Sequence, residues 1–319
     1  MTAPQDRAAS GAGPSPARLR RLTADEAFPA GWAGHQVRQV PLAHGEQVRL
    51  VECTPAAGAD APAVLFVHGW ACSAYGWRHN MGPMAAAGYR ALAPDLLGHG
   101  FSDKPLDDDR RYGADGLADM LVRVLDAAGV GRALVVGHSM GAAVALRLAA
   151  VRPDRVAGLV LAAPVGFGGV GRTWWLRLVT PPVVEPLLAA AATRPLFALG
   201  LRMGYGRLGA PTERDVDEYW APTADPRFPR ALRRIAHAFD WEAGPQESFA
   251  LVRCPVHCLF GERDDVIRMR VARPALARLA NARAEVVAGA GHVIPEEAPD
   301  VVNRTILGMA AEVFAPAVG

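Results

Sequence analysis

Lysine is almost missing from this chain: Lys104 is the only one among 34 basic residues, and every other cation is arginine. With so much alanine beside it, the arginine reflects GC-rich coding and is not read as a binding device. An excess of charge is missing too. The 34 basic residues face 32 acidic ones, a formal net charge of +2. That balance excludes a polyanion binder by charge alone, so no nucleic-acid partner is expected. Long apolar runs are also absent. The most apolar stretch, Trp174 to Tyr205, is broken by Arg177, Glu185, Arg194 and Arg202, whereas a bilayer span needs about 20 apolar residues in a row. The first thirty residues carry Arg7, Arg18, Arg20 and Arg21 among Ala, Pro, Gly and Ser, with no apolar segment behind them. No secretory signal or stable membrane insertion is expected, and the sequence reads as cytoplasmic. Cysteine is scarce. Cys254 and Cys258 flank His257, but they enter a strand-like run. Positions four apart on a strand lie about 13 Å from each other, with His257 on the opposite face. A zinc ion needs all its ligands about 2.0–2.3 Å away. Four reduced structural cysteines are expected, with no metal.

What is present is a chain of 319 residues, 51% apolar and 21% charged. That is long enough for two domains, or for one core with an insertion. Met1 to Gly34 reads as a low-complexity, disordered leader. Gln36–Pro41 and Gln47–Cys53 look like strands joined by a turn at His44-Gly45-Glu46. The runs Ala63–Val67, Tyr89–Ala93, Ala133–Val136 and Leu159–Ala162 are short and wholly apolar, as strands buried on both faces should be. Between them, Gly113–Ala128 and Met140–Ala150 have helical spacing. From Val165 to Phe249 the rhythm breaks into Trp-rich helical sequence interrupted by prolines. The strand signal returns at Val256–Phe260 and Ala284–Val287, with helices near Val271–Ala280 and Pro299–Phe314. Alternating strands and helices imply an α/β protein with a mostly parallel central sheet flanked by helices. The expected organisation is a leader (1–34), a first core part (35–164), an inserted helical cap (165–248) and a second core part (249–319).

The strongest local signal is Gly137-His138-Ser139-Met140-Gly141. It follows one apolar run and opens a helix. A sharp turn there lifts the Ser139 hydroxyl above the sheet, and the glycines spare the neighbouring strand and helix a collision. The helix N-terminus favours negative charge developing at the site. A serine nucleophile needs a general base. Of nine histidines, His292 is best placed, in the small-residue loop Ala288-Gly289-Ala290-Gly291-His292 after the last strand. His237, within the helical insertion, is the rival. The base needs a carboxylate to fix its tautomer. Gly261-Glu262-Arg263-Asp264-Asp265 follows a strand; spacing selects Asp264, with Asp265 as runner-up. The loop Ala163-Pro164-Val165 offers no acid. Two backbone N–H groups must meet an oxyanion. Met140 follows the nucleophile, and Trp70 lies in the loop His68-Gly69-Trp70-Ala71-Cys72. His68 is expected to shape that loop and to border the pocket.

His68-Gly69-Trp70, Asp95-Leu96-Leu97-Gly98-His99-Gly100-Phe101-Ser102-Asp103, Gly137-His138-Ser139-Met140-Gly141, Gly261-x-x-Asp264 and Gly291-His292 together resemble the α/β-hydrolase fold superfamily. The likeness runs from about Gln36 to Phe314. It implies a triad in the chain order Ser139, Asp264, His292. Haloalkane dehalogenases and related epoxide hydrolases of this superfamily use an aspartate nucleophile, and here that position is Ser139. Carboxylesterases, lactonases and hydrolases cleaving C–C bonds of meta-cleavage products fit the serine. The loop after Gly69 lacks the small Gly/Ser-rich sequence of that last group and carries Trp70 and Trp77 instead.

The insertion holds Trp174, Trp175, Phe197, Leu201, Met203, Tyr205, Tyr219, Trp220, Phe239 and Trp241. Most should pack the cap on the core, while a few, with Trp174, Trp175 and Trp241 as candidates, should wall an apolar substrate pocket. The expectation is a serine hydrolase acting on a small-molecule ester or lactone with a hydrophobic moiety, needing no cofactor. A C–C bond hydrolase or lyase on the same triad, and a receptor-like protein with little turnover, are the alternatives.

Overall fold

An apolar run can be buried on both faces only inside a sheet covered on both sides. In β3 (Ala63–Val67), residues 63, 65 and 67 enter one apolar core while 64 and 66 enter the other. The computed structural model, which describes residues 20–167, 180–241 and 249–315, builds this pattern into one eight-stranded sheet. The other strands are β1 (His35–Pro41), β2 (Gln47–Cys53), β4 (Arg90–Pro94), β5 (Ala133–His138), β6 (Val156–Ala162), β7 (Val256–Gly261) and β8 (Ala282–Val287). Their order is β1-β2-β4-β3-β5-β6-β7-β8. The β1–β2 and β2–β4 pairs are antiparallel, and every later pair is parallel.

Helices cover both faces. On one side lie α2 (Ala114–Ala127), which buries the stripe Leu117, Met120, Leu121, Val124 and Leu125, and α3 (Met140–Val151). On the other lie α1 (Arg78–Ala86) and the C-terminal α10 (Pro299–Val313), packed through Met81, Met84, Ile306 and Met309. Between β6 and β7 stand α4 (Glu185–Ala191), α5 (Arg194–Gly204), α6 (Glu213–Trp220) and α7 (Phe228–Ala238), with no strand among the described residues. After β7 come α8 (Met269–Leu276) and, beyond β8, the short α9 (Ile294–Glu297). α7 presses Ala231, Ile235 and the following Phe239 into the same core as α2 and α3. α6 begins with a reciprocal cap between Thr212 and Asp215.

Residues 20–34 depart from the expected leader. Phe28 is fully buried among Val51, Tyr75 and Met81. Its N–H donates to the Glu218 carboxylate on α6 at 2.9 Å, and Arg49 donates to its carbonyl. The buried ring is one of several anchors: Arg21 donates to Thr223 at 2.8 Å, Arg214 to the Glu26 carbonyl at 2.9 Å, and Trp32 meets His79 edge-on, so contacts spread along the segment offset the cost of ordering it. The helix α1 was likewise not anticipated, since Pro83 and the polar Arg78, His79 and Asn80 hide its periodicity.

Candidate active site

Ser139 lies between β5 and α3 in a left-handed conformation, φ 52°, that side-chain-bearing residues rarely adopt. Its N–H is tied to the Ala162 carbonyl at 2.9 Å. The flanking glycines are steric necessities. A Cβ on Gly141 would lie 2.2 Å from the Val67 carbonyl oxygen, and one on Gly137 would lie 2.6 Å from Ala142 Cα. The turn can be this tight only because both side chains are absent.

His292 comes from the loop between β8 and α9. Its Nε2 is 2.9 Å from Ser139 Oγ and its Nδ1 is 2.9 Å from Asp264 Oδ2. A carboxylate only accepts, so Nδ1 carries the proton, Nε2 is the acceptor, and the Ser139 hydroxyl donates. The Asp264 side chain is fully buried and His292 nearly so. Asp264 Oδ1 accepts the Val266 and Ile267 N–H groups at 2.7 and 2.8 Å, which leaves Oδ2 aimed at the ring. Asp265 points into solvent and pairs with Arg268. His237 is hydrogen-bonded with Thr180 Oγ1. The structure thus brings together the three residues that spacing selected. Such an arrangement can pass a hydroxyl proton to a ring whose resulting charge faces a carboxylate.

The Trp70 and Met140 N–H groups have no hydrogen-bond partner among the described residues. Unpartnered N–H groups beside a nucleophile can receive an anionic oxygen, and Met140 also opens α3, where the helix dipole favours negative charge. His68 is buried beneath this loop and outside the cavity that Ser139 faces. Its Nδ1–H donates to the Gly69 carbonyl at 2.8 Å, and its Nε2 accepts the Leu96 N–H at 2.9 Å. It pins the loop instead of bordering the pocket.

His138 was not singled out by sequence. Burial holds its imidazole neutral, with a pKa lowered to about 3. Its Nε2–H donates to the His292 carbonyl at 2.9 Å, while the His292 N–H donates to Gly204 of α5 at 2.7 Å. The peptide carrying the ring is therefore held from the core on one side and from the insertion on the other. Glu297 completes the junction by accepting the N–H groups of Gly291 and Gly206 at 2.5 and 2.6 Å.

Above Ser139 is a cavity of about 360 Å³, walled by Trp70, Leu196, Phe197, Leu201, Tyr219 and Leu232. Cys72 also reaches it, but burial pushes its thiol up to about 12, so it stays protonated. Tyr219 turns its hydroxyl to Glu296, which pairs with Arg78 at 2.7 Å. Trp241 does not face the cavity. Its ring packs at a tilt against Phe239, centroids 5.0 Å apart, and its indole N–H donates to the Ala236 carbonyl. Trp174 and Trp175 lie outside the described residues. A groove of similar size between β7, β8 and α10 is lined by His257, Arg283, Glu285 and Glu312 and holds no serine or cysteine. Among the described residues no cluster of His, Cys, Asp and Glu could hold a metal, and no helix is long and apolar enough to cross a membrane.

A mostly parallel sheet with a strained serine between strand and helix, met by a histidine and an acid from later loops, defines a hydrolase-type scaffold. The family model for the alpha/beta hydrolase fold matches residues 62–299, and the chain belongs to that family. An uncharacterized protein of Mycobacterium tuberculosis is 32% identical over 269 residues, covering 77% of this chain and 75% of its own. Epoxide hydrolase 3 of Siraitia grosvenorii is 29% identical over 292 residues, covering 77% and 90%. Among solved structures, an epoxide hydrolase from an endophytic Streptomyces superposes with a TM-score of 0.72 at 26% identity, covering 87% of this chain and 95% of its own. Family and relatives together support a hydrolase.

Proposed function

We propose that this protein is a serine hydrolase that cleaves a carboxylic ester or lactone with a hydrophobic moiety through an acyl-enzyme. The observation that carries the reading is the continuous chain from Ser139 Oγ to His292 Nε2 and from His292 Nδ1 to Asp264 Oδ2, each 2.9 Å. Ser139 Oγ attacks the carbonyl carbon as His292 Nε2 takes its proton. Asp264 stabilises the imidazolium, and the Trp70 and Met140 N–H groups receive the carbonyl oxygen as it becomes anionic. The C–O bond to the alcohol breaks, and His292 gives the alcohol its proton. Water, deprotonated by the same ring, then releases the acid and restores Ser139. The helical insertion acts as a cap that supplies the apolar wall.

The nucleophile separates this reading from the chemistry of the epoxide hydrolase relatives. A serine oxygen that opened an epoxide would leave an ether, which water does not cleave under these conditions. The same oxygen on a carbonyl leaves an ester, which the site can hydrolyse. Ser139 therefore suits an acyl substrate. A fluorophosphonate probe should add one label to the wild type and none to Ser139→Ala, and p-nitrophenyl esters should be turned over only by the former. Equal labelling of both proteins would remove Ser139 from the mechanism.

A further inference from the structure

The Trp70 side chain does something separate from its main chain. Trp70 lines the cavity over Ser139 and also a second cavity of about 240 Å³ between α5 and α7. The two share Trp70, Leu196, Phe197 and Leu232 as common walls. The indole itself is fixed at this shared wall, because its N–H donates to the Leu232 carbonyl of α7 at 3.1 Å.

Among the described residues, the second cavity is walled almost wholly by hydrocarbon. It is lined chiefly by Ala192, Leu196, Phe228, Pro229, Leu232 and Ala236. Of its polar neighbours, Arg233 is already spent on the Thr180 carbonyl at 2.7 Å and on Glu185 at 3.0 Å. Thr180 Oγ1 is engaged with His237. A carboxylate, phosphate or sugar placed against these walls would lose most of its water and gain few partners. A hydrocarbon would only gain.

Taking the serine-esterase reading as its basis, we propose that the substrate is an ester of a long unbranched acid. The carbonyl sits at Ser139, the first methylenes fill the nearer cavity, and the chain end passes the Trp70 indole into the second. Trp70 is then a specificity-determining residue through its side chain. Each methylene buried is worth about fourfold in binding, so a chain that reaches the second cavity gains a further increment over one that stops at Trp70.

The experiment compares p-nitrophenyl butanoate, octanoate and dodecanoate on the wild type, Ala192→Phe and Ala236→Phe, each checked for its melting temperature. Both substitutions place a ring in the second cavity and leave the first untouched. Wild-type kcat/KM should rise from butanoate to octanoate and again to dodecanoate. Each variant should keep its butanoate and octanoate values within about threefold and lose dodecanoate by about tenfold or more. A folded variant with an unchanged dodecanoate-to-octanoate ratio overturns the proposal. If neither variant folds, the wild-type profile decides, and no gain beyond octanoate overturns it. Fluorophosphonate labelling separates the two levels. Labelling with butanoate turnover but no second rise removes only the second cavity, whereas no labelling and no turnover of any ester removes the serine-esterase reading beneath it.

Discussion

The loops at the carboxyl edge of the sheet and the helices inserted between β6 and β7 are built on opposite terms. In the loops, each triad residue is held by specific polar or steric constraints. Asp264 is fixed by two backbone amides, His292 by its ring partners and by both sides of its peptide, and Ser139 by a turn that admits only glycine two positions to either side of it. The insertion meets the site with hydrocarbon, and it leaves Val183, Leu187 and Met203 exposed on its outer side. Reaction geometry tolerates little displacement, so the reacting groups stand on rigid loops. An apolar wall needs only volume and hydrophobicity. Chemistry and choice of substrate should therefore separate under mutation. They meet at the junction of Gly204 and Gly206 with the His292 loop, and again where the Trp70 indole donates to Leu232.

The largest effect should come from the core loops. Asp264→Asn should lower kcat on every ester by about 10⁴-fold, the loss of a triad acid replaced by its amide. Asp265→Asn should stay within about threefold, because its carboxylate faces water. The reverse ranking in steady-state kinetics would break the assignment of the acid. Next in size is the N-terminal segment. Phe28→Ala should lower unfolding free energy by about 3 kcal/mol or more in urea titration, the range for a deleted buried aromatic ring. A change below about 1 kcal/mol would show that residues 20–34 contribute little to the fold.

A smaller effect should follow from the insertion. Phe197→Ala should cost about tenfold in kcat/KM for octanoate and much less for acetate, because acetate does not reach that wall. Equal losses on both esters would erase the proposed division of labour. The smallest effect is on stability against pH. Buried His138 binds its proton only near pH 3, against an ordinary value of 6.5 in the unfolded chain. Between those values the unfolded state holds the extra proton, so stability falls as pH drops below 6.5. The slope is at most about 1.4 kcal/mol per pH unit for this one group. His138→Asn should flatten that slope by up to one proton in chemical denaturation at pH 6 and pH 5, and an unchanged slope would contradict a neutral buried imidazole.

Much of this molecule was legible in its sequence, for reasons particular residues make plain. Ala63–Val67 and Ala133–Val136 read as buried strands because they contain no polar side chain to place outside. Gly137 and Gly141 read as obligatory because backbone lies where a Cβ would go. Asp264 was separable from Asp265 by spacing, although what orients it, the amides of Val266 and Ile267, belongs to the loop conformation. Other features depend on tertiary contacts that periodicity does not encode. Leu201 faces the cavity while Met203, two residues on, is 78% exposed. Trp241 carries the same apolar signal as a pocket wall but packs on Phe239. Phe28 stands in a composition typical of disorder, and only its contact with Glu218 and Arg49 across the fold reveals the docking.

The central claim is that Ser139 forms a covalent acyl intermediate. The most direct measurement is rapid quenching of the wild type during turnover of p-nitrophenyl octanoate, followed by peptide mass mapping. The account predicts an octanoyl increment on the peptide containing Ser139 and none in Ser139→Ala. Sustained turnover with the acyl group on another residue, or with no acyl-protein at any quench time, would contradict it.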